Sequence, residues 1–220
     1  MATKTVYLNS YEHPYNTSSY GYGRVVNPTN AYTGVSSTTY ARVASELYNS
    51  SGSMSIDNVY FWFSDIDIPE DSIINSVTIK VKWKQSGTDS HNVPKLNIYA
   101  SIPYTIKGTI VNSSTTEDVE TISTLNVTSA FNTVALLNKA GIEISGLLSA
   151  YSSNTSISYN VYIYGAELTV DYTEPSKLSG YANIGGVNKE LSGGYVNIGG
   201  AWKEISGAYM NVGGTWKEMA

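Results

Sequence analysis

Aromatic and amide side chains recur at a fixed spacing in the last forty residues, where they could bind a sugar. From Tyr181 the sequence repeats with a period of fourteen residues, in the form Tyr-x-Asn-Ile/Val-Gly-Gly-x-Trp-Lys-Glu. An aromatic ring can cover the apolar side of a pyranose while amide groups bond its hydroxyls. The candidate carbohydrate-binding residues are Tyr181, Asn183, Tyr195, Asn197, Trp202, Tyr209, Asn211 and Trp216.

The same rings have a second interpretation, in which they only pack against a neighbouring repeat or subunit. The first repeat has Asn188 where the other two have Trp202 and Trp216, so at most two aromatic units are complete. The Lys-Glu pair that ends each unit is expected to be a solvated ion pair, worth about 0–1 kcal/mol. The sequence leaves the sugar site and the packing role open.

Catalytic motifs are absent from the sequence. His13 and His91 are isolated, and there is no Gly-x-Ser-x-Gly elbow, His-Glu-x-x-His pair or phosphate-binding glycine loop. Four acidic residues within 65–71 could hold Ca²⁺, but they lack the spacing of a known loop, and a solvated turn is the default interpretation. A two-carboxylate glycosidase assembles only in three dimensions, so motifs do not exclude it. We expect no enzyme, no cofactor and no metal.

Composition limits the partners. Charged residues make up 14% of the chain, against about 25% in average globular proteins. The surface must then be mainly Ser, Thr, Asn and Tyr, which suits uncharged ligands such as sugars. The net charge is −5, with no Lys/Arg cluster, so we expect no nucleic acid partner. No stretch is apolar enough to span a membrane, and the N-terminus has no signal-peptide pattern, so we expect synthesis in the cytoplasm without membrane insertion.

The first 173 residues contain short apolar runs between clusters of Gly, Pro, Asn and Ser, which is the pattern of a β-sandwich. Apolar residues alternate with Thr and Lys in 77–83, which predicts a strand with one face in the core. The run 59–63 is apolar throughout, which predicts a central strand covered on both sides. Further strands are predicted at residues 5–8, 96–100, 120–125, 141–144 and 159–172.

The last of these strands is long, and a domain boundary follows it. Alternation predicts one shared face for Tyr162, Tyr164, Ala166, Leu168, Val170 and Tyr172. A short helical segment is predicted within residues 130–139, ending before Gly141. Pro175 then predicts a linker, because proline lacks a ladder donor. The predicted organisation is a sandwich at 1–173, a linker at 174–180 and three hairpin repeats at 181–220.

Each repeat is predicted to be a hairpin, because its Gly-Gly pair can adopt the two positive φ angles of a type I′ turn. In the second repeat, Ile198 should oppose Ala201 and Asn197 should oppose Trp202. An isolated two-stranded hairpin is marginal in water, so the hairpins need cover from one another or from other subunits. We therefore expect a homo-oligomer, with a trimer as the favoured assembly.

Two groups of residues resemble bacteriophage tail proteins. Residues 160–172, together with 68–80 and 30–41, resemble jelly-roll, carbohydrate-binding-like domains of tail and tail-fibre proteins. The segment 33–37 has no acidic residue where that pattern would place one, which argues against a cation site there. The Tyr-x-Asn-Val-Gly-Gly-x-Trp-Lys repeats are similar to tandem repeats at the ends of many tail proteins.

This resemblance implies a function outside the host cell. It implies a jelly-roll sandwich in a virion tail or receptor-binding component, synthesised in the host cytoplasm and released on lysis. The expected partners are a host cell-wall or surface polysaccharide, other copies of the chain and other virion proteins. The alternative is a structural virion protein, a head or tail decoration or adaptor, whose repeats mediate oligomerisation.

Overall fold

The structure is a computed structural model, and the chain forms two compact units, Met1–Thr173 and Glu174–Ala220. Antiparallel strands make up most of both units. The residues that the structure describes are 1–12, 24–47, 52–87, 95–103, 105–113, 119–150, 157–175, 180–184, 187–191, 195–198, 201–204, 208–212 and 215–219.

The described residues of the first unit form ten strands in two layers. The strands are β1 (Ala2–Glu12), β2 (Arg24–Val26), β3 (Ala41–Leu47), β4 (Gly52–Phe63), β5 (Ile73–Gly87), β6 (Lys95–Ile102), β7 (Thr105–Ser113), β8 (Thr121–Asn126), β9 (Gly141–Ala150) and β10 (Ile157–Thr173). The first sheet has the order β2-β3-β10-β5-β8, and the second has β4-β9-β6-β7. Strand β1 joins them, pairing with β10 through residues 2–7 and with β4 through residues 8–12.

The connectivity is that of a jelly roll. From β3 to β10 the chain crosses to the other sheet at every step except β6 to β7, which form a hairpin. This winding gives eight strands in two facing sheets, as in the jelly rolls of capsid and lectin domains. The predicted all-β sandwich is therefore confirmed. The strands β2, β3 and β7 were not predicted, whereas the strands predicted from apolar alternation are all present.

The core lies between the two sheets and follows the predicted alternation. In β5, Val77, Ile79 and Val81 are fully buried, while the residues between them are partly or fully exposed. Phe61 of β4 and Phe131 are the largest side chains with no exposure, and both belong to this core. The predicted helical segment is confirmed as one turn, α1 (Val134–Leu137), with Thr133 as its N-cap. Side-chain burial is thus the main force holding the sandwich, since the chain has no cysteine.

The prediction that Tyr162 and Tyr164 share a face of β10 with Ala166, Leu168, Val170 and Tyr172 is wrong. Ile163 pairs with Trp83 but Gly165 pairs with Lys82, so one extra residue is inserted between them. This β-bulge reverses the alternation, because side chains alternate strictly only while the pairing stays in step. As a result Tyr162 and Tyr164 stand apart from the core cluster, whereas Ala166, Leu168, Val170 and Tyr172 belong to it.

The bulge also holds a loop against the first sheet. Residues 27–40 connect β2 to β3 and contain a 3₁₀ helix, Pro28–Ala31. Thr33 Oγ1 donates to the carbonyl oxygen of Tyr164 at 3.2 Å, and Glu167 Oε1 accepts from the amide of Val35 at 3.0 Å. A Cβ at Gly165 would overlap the carbonyl oxygen of Thr33. The glycine therefore leaves room for the loop backbone.

The second unit contains three separate hairpins, each a two-stranded antiparallel sheet in the described residues. Its strands are β11 (Gly180–Ile184), β12 (Val187–Leu191), β13 (Tyr195–Ile198), β14 (Ala201–Glu204), β15 (Ala208–Val212) and β16 (Thr215–Met219). In the second hairpin Asn197 pairs with Trp202 and Ile198 with Ala201, which confirms the predicted register. The Gly-Gly pairs, and with them the predicted turn type, lie outside the described residues.

Replacing Gly165 with alanine tests the contact between the bulge and the loop. The new Cβ would meet two backbone carbonyl oxygens, of Thr33 and Gly34, and backbone cannot rotate away as a side chain can. We expect the free energy of unfolding in urea to fall by about 1–3 kcal/mol. The matched control is Gly108→Ala, whose Cβ meets side chains alone, the end of Leu125 at 2.9 Å and Val127 at 3.8 Å, and which should cost less. Equal stability of both variants would contradict the close approach.

Candidate functional site

The predicted sugar-binding residues of the repeats occupy matching positions in the three hairpins. The structure describes the backbone of these strands, and the role of their side chains stays a prediction. The register pairs Tyr181 with Glu190, Asn183 with Asn188, Tyr195 with Glu204, Asn197 with Trp202, Tyr209 with Glu218 and Asn211 with Trp216.

A second group of aromatic and acidic residues lies on the outer face of the second sheet. One row crosses the strands in the order Glu12, Tyr60, Glu143 and Tyr99, each residue paired with the next. Trp62 lies two positions beyond Tyr60 and therefore on the same face. None of the five belongs to the core cluster. We call Glu12, Tyr60, Trp62, Tyr99 and Glu143 the acidic aromatic face.

Trp62 is positioned by a glycine on the neighbouring strand. It pairs with Gly141, and a Cβ at Gly141 would overlap Cε3 of the indole and lie 2.6 Å from the carbonyl oxygen of Phe61. The indole also stacks on Tyr60, with the ring centroids 5.3 Å apart and the planes 5° from parallel. Trp62 remains partly exposed.

Glu143 is a buried carboxylate in the middle of this face. Its exposed fraction is 5%, and that of its neighbour Tyr60 is 3%. Burial raises the pKa of the Glu143 carboxyl above its usual 4.5, because the charged form loses hydration. No described residue forms a hydrogen bond or ion pair with its side chain. The hydroxyl of Ser101, which is fully buried, also has no partner among the described residues.

Glu143 and Ser101 lie near each other where β6 pairs with β9. Ser101 pairs with Gly141, two residues from the pair formed by Tyr99 and Glu143, so it lies on the same face of the sheet. Native proteins pair nearly all fully buried polar groups, so the unpartnered hydroxyl of Ser101 calls for an explanation. A bound molecule with hydrogen-bond donors would supply the missing partner. The sequence indicated a strand at 141–144 but did not identify Glu143 as a site residue.

The outer face of the first sheet carries a different cluster, in which rings and cations contact one another. The ring of Tyr40 lies 4.8 Å from that of Tyr162 and 5.3 Å from that of Tyr164. The ammonium of Lys82 lies 4.8 Å from the Tyr164 centroid, and that of Lys84 lies 5.5 Å from the Tyr162 centroid. We call these five residues the tyrosine–lysine cluster. Their spacing is that of cation–π contacts.

Lys82 connects this cluster to the segments on either side of it. Its ammonium donates to the carbonyl oxygen of Ser37 at 2.9 Å and pairs with Glu120 at 2.7 Å. The hydrogen bond from Lys82 holds the pKa of Glu120 below its usual 4.5, and burial, with Glu120 nearby, raises the pKa of Tyr164. The charge of Lys82 is thus satisfied within the fold, in contrast to that of Glu143.

The described part of the chain contains no group of three His, Asp or Glu side chains that could hold a metal ion. The acidic residues of 65–71 are each exposed there. His13 and His91 lie outside the described residues. Among the helices that the structure describes, none has the length and apolar character needed to cross a membrane.

Comparison with known proteins does not assign the chain to a family. No family model matches it, and no curated protein matches it. Four chains of solved structures match, one of them from "Structure of infectious bursal disease virus Gx strain". That match has 10% sequence identity and a TM-score of 0.28, and covers 60% of this chain and 29% of the viral chain. Similarity at this level does not identify a function.

The burial of Glu143 predicts a pH dependence of stability. Because the folded state raises its pKa, its contribution to stability is complete below pH 4.5 and is lost as the pH rises through the raised value. We therefore expect the free energy of unfolding of Glu143→Gln, relative to wild type, to increase between about pH 4 and pH 8. Urea unfolding across this range measures the difference.

Glu120→Gln is the matched control with the opposite sign. The pKa of Glu120 is lowered in the fold, so its contribution is present above the usual 4.5 and is lost as the pH falls. Relative to wild type, this variant should become less stable as the pH rises. A pH-independent difference for Glu143→Gln would show that its carboxyl is not buried as described.

Proposed function

We propose that this chain is a non-enzymatic receptor-binding or tail-tip protein of a bacteriophage that recognises host cell-surface polysaccharide. The observation that carries the proposal is the acidic aromatic face, where stacked rings lie beside a buried carboxylate that has no described partner. Sugar sites combine an aromatic surface for the pyranose ring with a few placed polar groups for its hydroxyls. This face has both parts on rigid strands.

The residue that lies between the two carboxylates supports binding over hydrolysis. Glu12 is on β1 and Glu143 on β9, with Tyr60 of β4 paired to both. A glycosidase needs its two carboxyl groups about 5–9.5 Å apart with the scissile bond between them. Here the buried Tyr60 fills the position between them.

The hairpin repeats support a multivalent form of this function. Asn and Trp are paired in two successive hairpins, at Asn197–Trp202 and Asn211–Trp216. Repeated weak sites raise avidity through effective concentration, without any stronger single contact. The assignment to a virion tail rests on the resemblance of the repeats and of the closing strand to tail proteins.

Replacing Trp62 tests the proposed function at the sandwich. We expect Trp62→Ala to weaken binding of the tightest glycan found on an array by about tenfold, as measured by calorimetry, since a stacked ring contributes about 0.5–1.5 kcal/mol. Trp62→Phe keeps a ring and should lose less. Circular dichroism controls for folding. Wild-type protein that binds no glycan on the array would contradict the proposal.

Replacing both tryptophans of the repeats tests whether the hairpins share in binding. For Trp202→Ala with Trp216→Ala in the full chain, we expect weaker binding to immobilised polysaccharide, where several sites act together. Binding to a short soluble sugar should be retained at the sandwich. Unchanged binding of the folded double variant to both forms would remove the repeats from the mechanism.

The second candidate is a structural virion protein, such as a head or tail decoration or adaptor, whose repeats hold a homotrimer together. It is favoured by the isolation of the hairpins, since no third strand pairs with any of them in the described residues and a lone hairpin is marginal in water.

We expect light scattering to detect loss of the oligomer when residues 174–220 are deleted. Loss of the oligomer with glycan binding intact would support a structural role for the repeats. An oligomer that survives the deletion would contradict it.

A further inference from the structure

The acidic aromatic face has at its centre a carboxyl group, that of Glu143, with little exposure and no partner among the described residues. Glu143 is 5% exposed and pairs with an aromatic residue on either side, Tyr60 and Tyr99. A carboxylate with so little exposure and no partner is unfavourable in its charged form, so it either takes up a proton or binds a group that brings positive charge. A ligand that supplies this charge gains more from Glu143 than a ligand that supplies only a hydroxyl.

The residues around Glu143 also favour a cation. Its own row runs Glu12, Tyr60, Glu143 and Tyr99, and the adjacent row runs Ser10, Trp62, Gly141 and Ser101. No residue of these two rows is basic. Aromatic rings attract ammonium groups through their negative faces, and the effect is stronger where water is excluded.

The opposite sheet provides an internal comparison. In the tyrosine–lysine cluster the cations that contact the rings come from the chain itself, 4.8 Å from Tyr164 and 5.5 Å from Tyr162. The acidic aromatic face has rings and carboxylates but no cation in its two rows. A ligand ammonium would complete there the arrangement that Lys82 and Glu120 complete on the first sheet.

We propose that the acidic aromatic face selects sugars that carry a free, unacetylated amino group, with the ligand ammonium bound by Glu143 and the pyranose ring on Trp62. This inference rests on the proposed glycan-binding function and names the ligand class for that site. An ammonium offers three hydrogen-bond donors, enough for the carboxylate of Glu143 and the unpartnered hydroxyl of Ser101 together. An N-acetyl group removes the charge and two of the donors, so acetylation should weaken binding.

The test compares a glucosamine oligosaccharide with its N-acetylated form of the same length, using the full chain below neutral pH, where the amine is protonated. We expect wild type to bind the amine form at least about tenfold more tightly in calorimetry, since a desolvated cation–π contact and an ion pair both act. Glu143→Gln should abolish this preference, so that the amine and acetylated forms bind the variant with the same affinity. Glu120→Gln removes the same charge from an exposed site on the first sheet and should keep the preference.

The outcomes separate the ligand class from the function. If both sugars bind wild type equally and Trp62→Ala weakens both, the amine selectivity is wrong and glycan binding at this face stands. If the preference persists in Glu143→Gln, the ammonium is bound elsewhere and the inference is wrong. If neither sugar nor any array glycan binds, the proposed function itself fails. The wild-type comparison is decisive even if Glu143→Gln does not fold, because selectivity for the amine is required of the native chain.

Discussion

The pairing of β4 with β9 is the constraint on which the functional site depends. Tyr60 pairs with Glu143 and Trp62 with Gly141, and the residues between these pairs fill the core. A slip of one residue would turn Glu143 into the core and Ile142 out of it, which the apolar core does not tolerate. The hydrophobic pattern therefore fixes a carboxylate beside aromatic rings on the outer face, although that arrangement does not itself stabilise the sheet.

The two sheets use similar residue types for different purposes. On the first sheet, Lys82 bonds Ser37 and Glu120 and lies over Tyr164, so the tyrosine–lysine cluster ties the loop 27–40 to the sheet. On the second sheet, Glu143 is buried with no partner among the described residues. A satisfied network rigidifies a fold, whereas an unsatisfied buried group is a feature expected of binding sites. This difference is the reason for placing the ligand on the second sheet.

The sequence predicted the features that depend on local pattern. Alternation identified β5, the continuous apolar run 59–63 identified part of β4, and the Gly-Gly repeats predicted the register of the hairpins. It did not predict the outward position of Tyr162 and Tyr164, because the bulge at Gly165 interrupts the alternation. A glycine inside a strand often marks a bulge, so Gly165 could have indicated this one. Nor did it predict the acidic aromatic face, because Glu12, Tyr60, Tyr99 and Glu143 are far apart in sequence and meet only through strand pairing. The local indication of this face in the sequence was the single Glu within the otherwise apolar run 141–144.

The most direct test of the account is a crystal structure of the full chain with a glucosamine oligosaccharide bound. We expect a sugar on the outer face of the second sheet, with its amino nitrogen within hydrogen-bond distance of Glu143 and its ring against Trp62. A sugar bound only at the hairpins, or an acidic aromatic face that stays empty at saturating ligand, would contradict it.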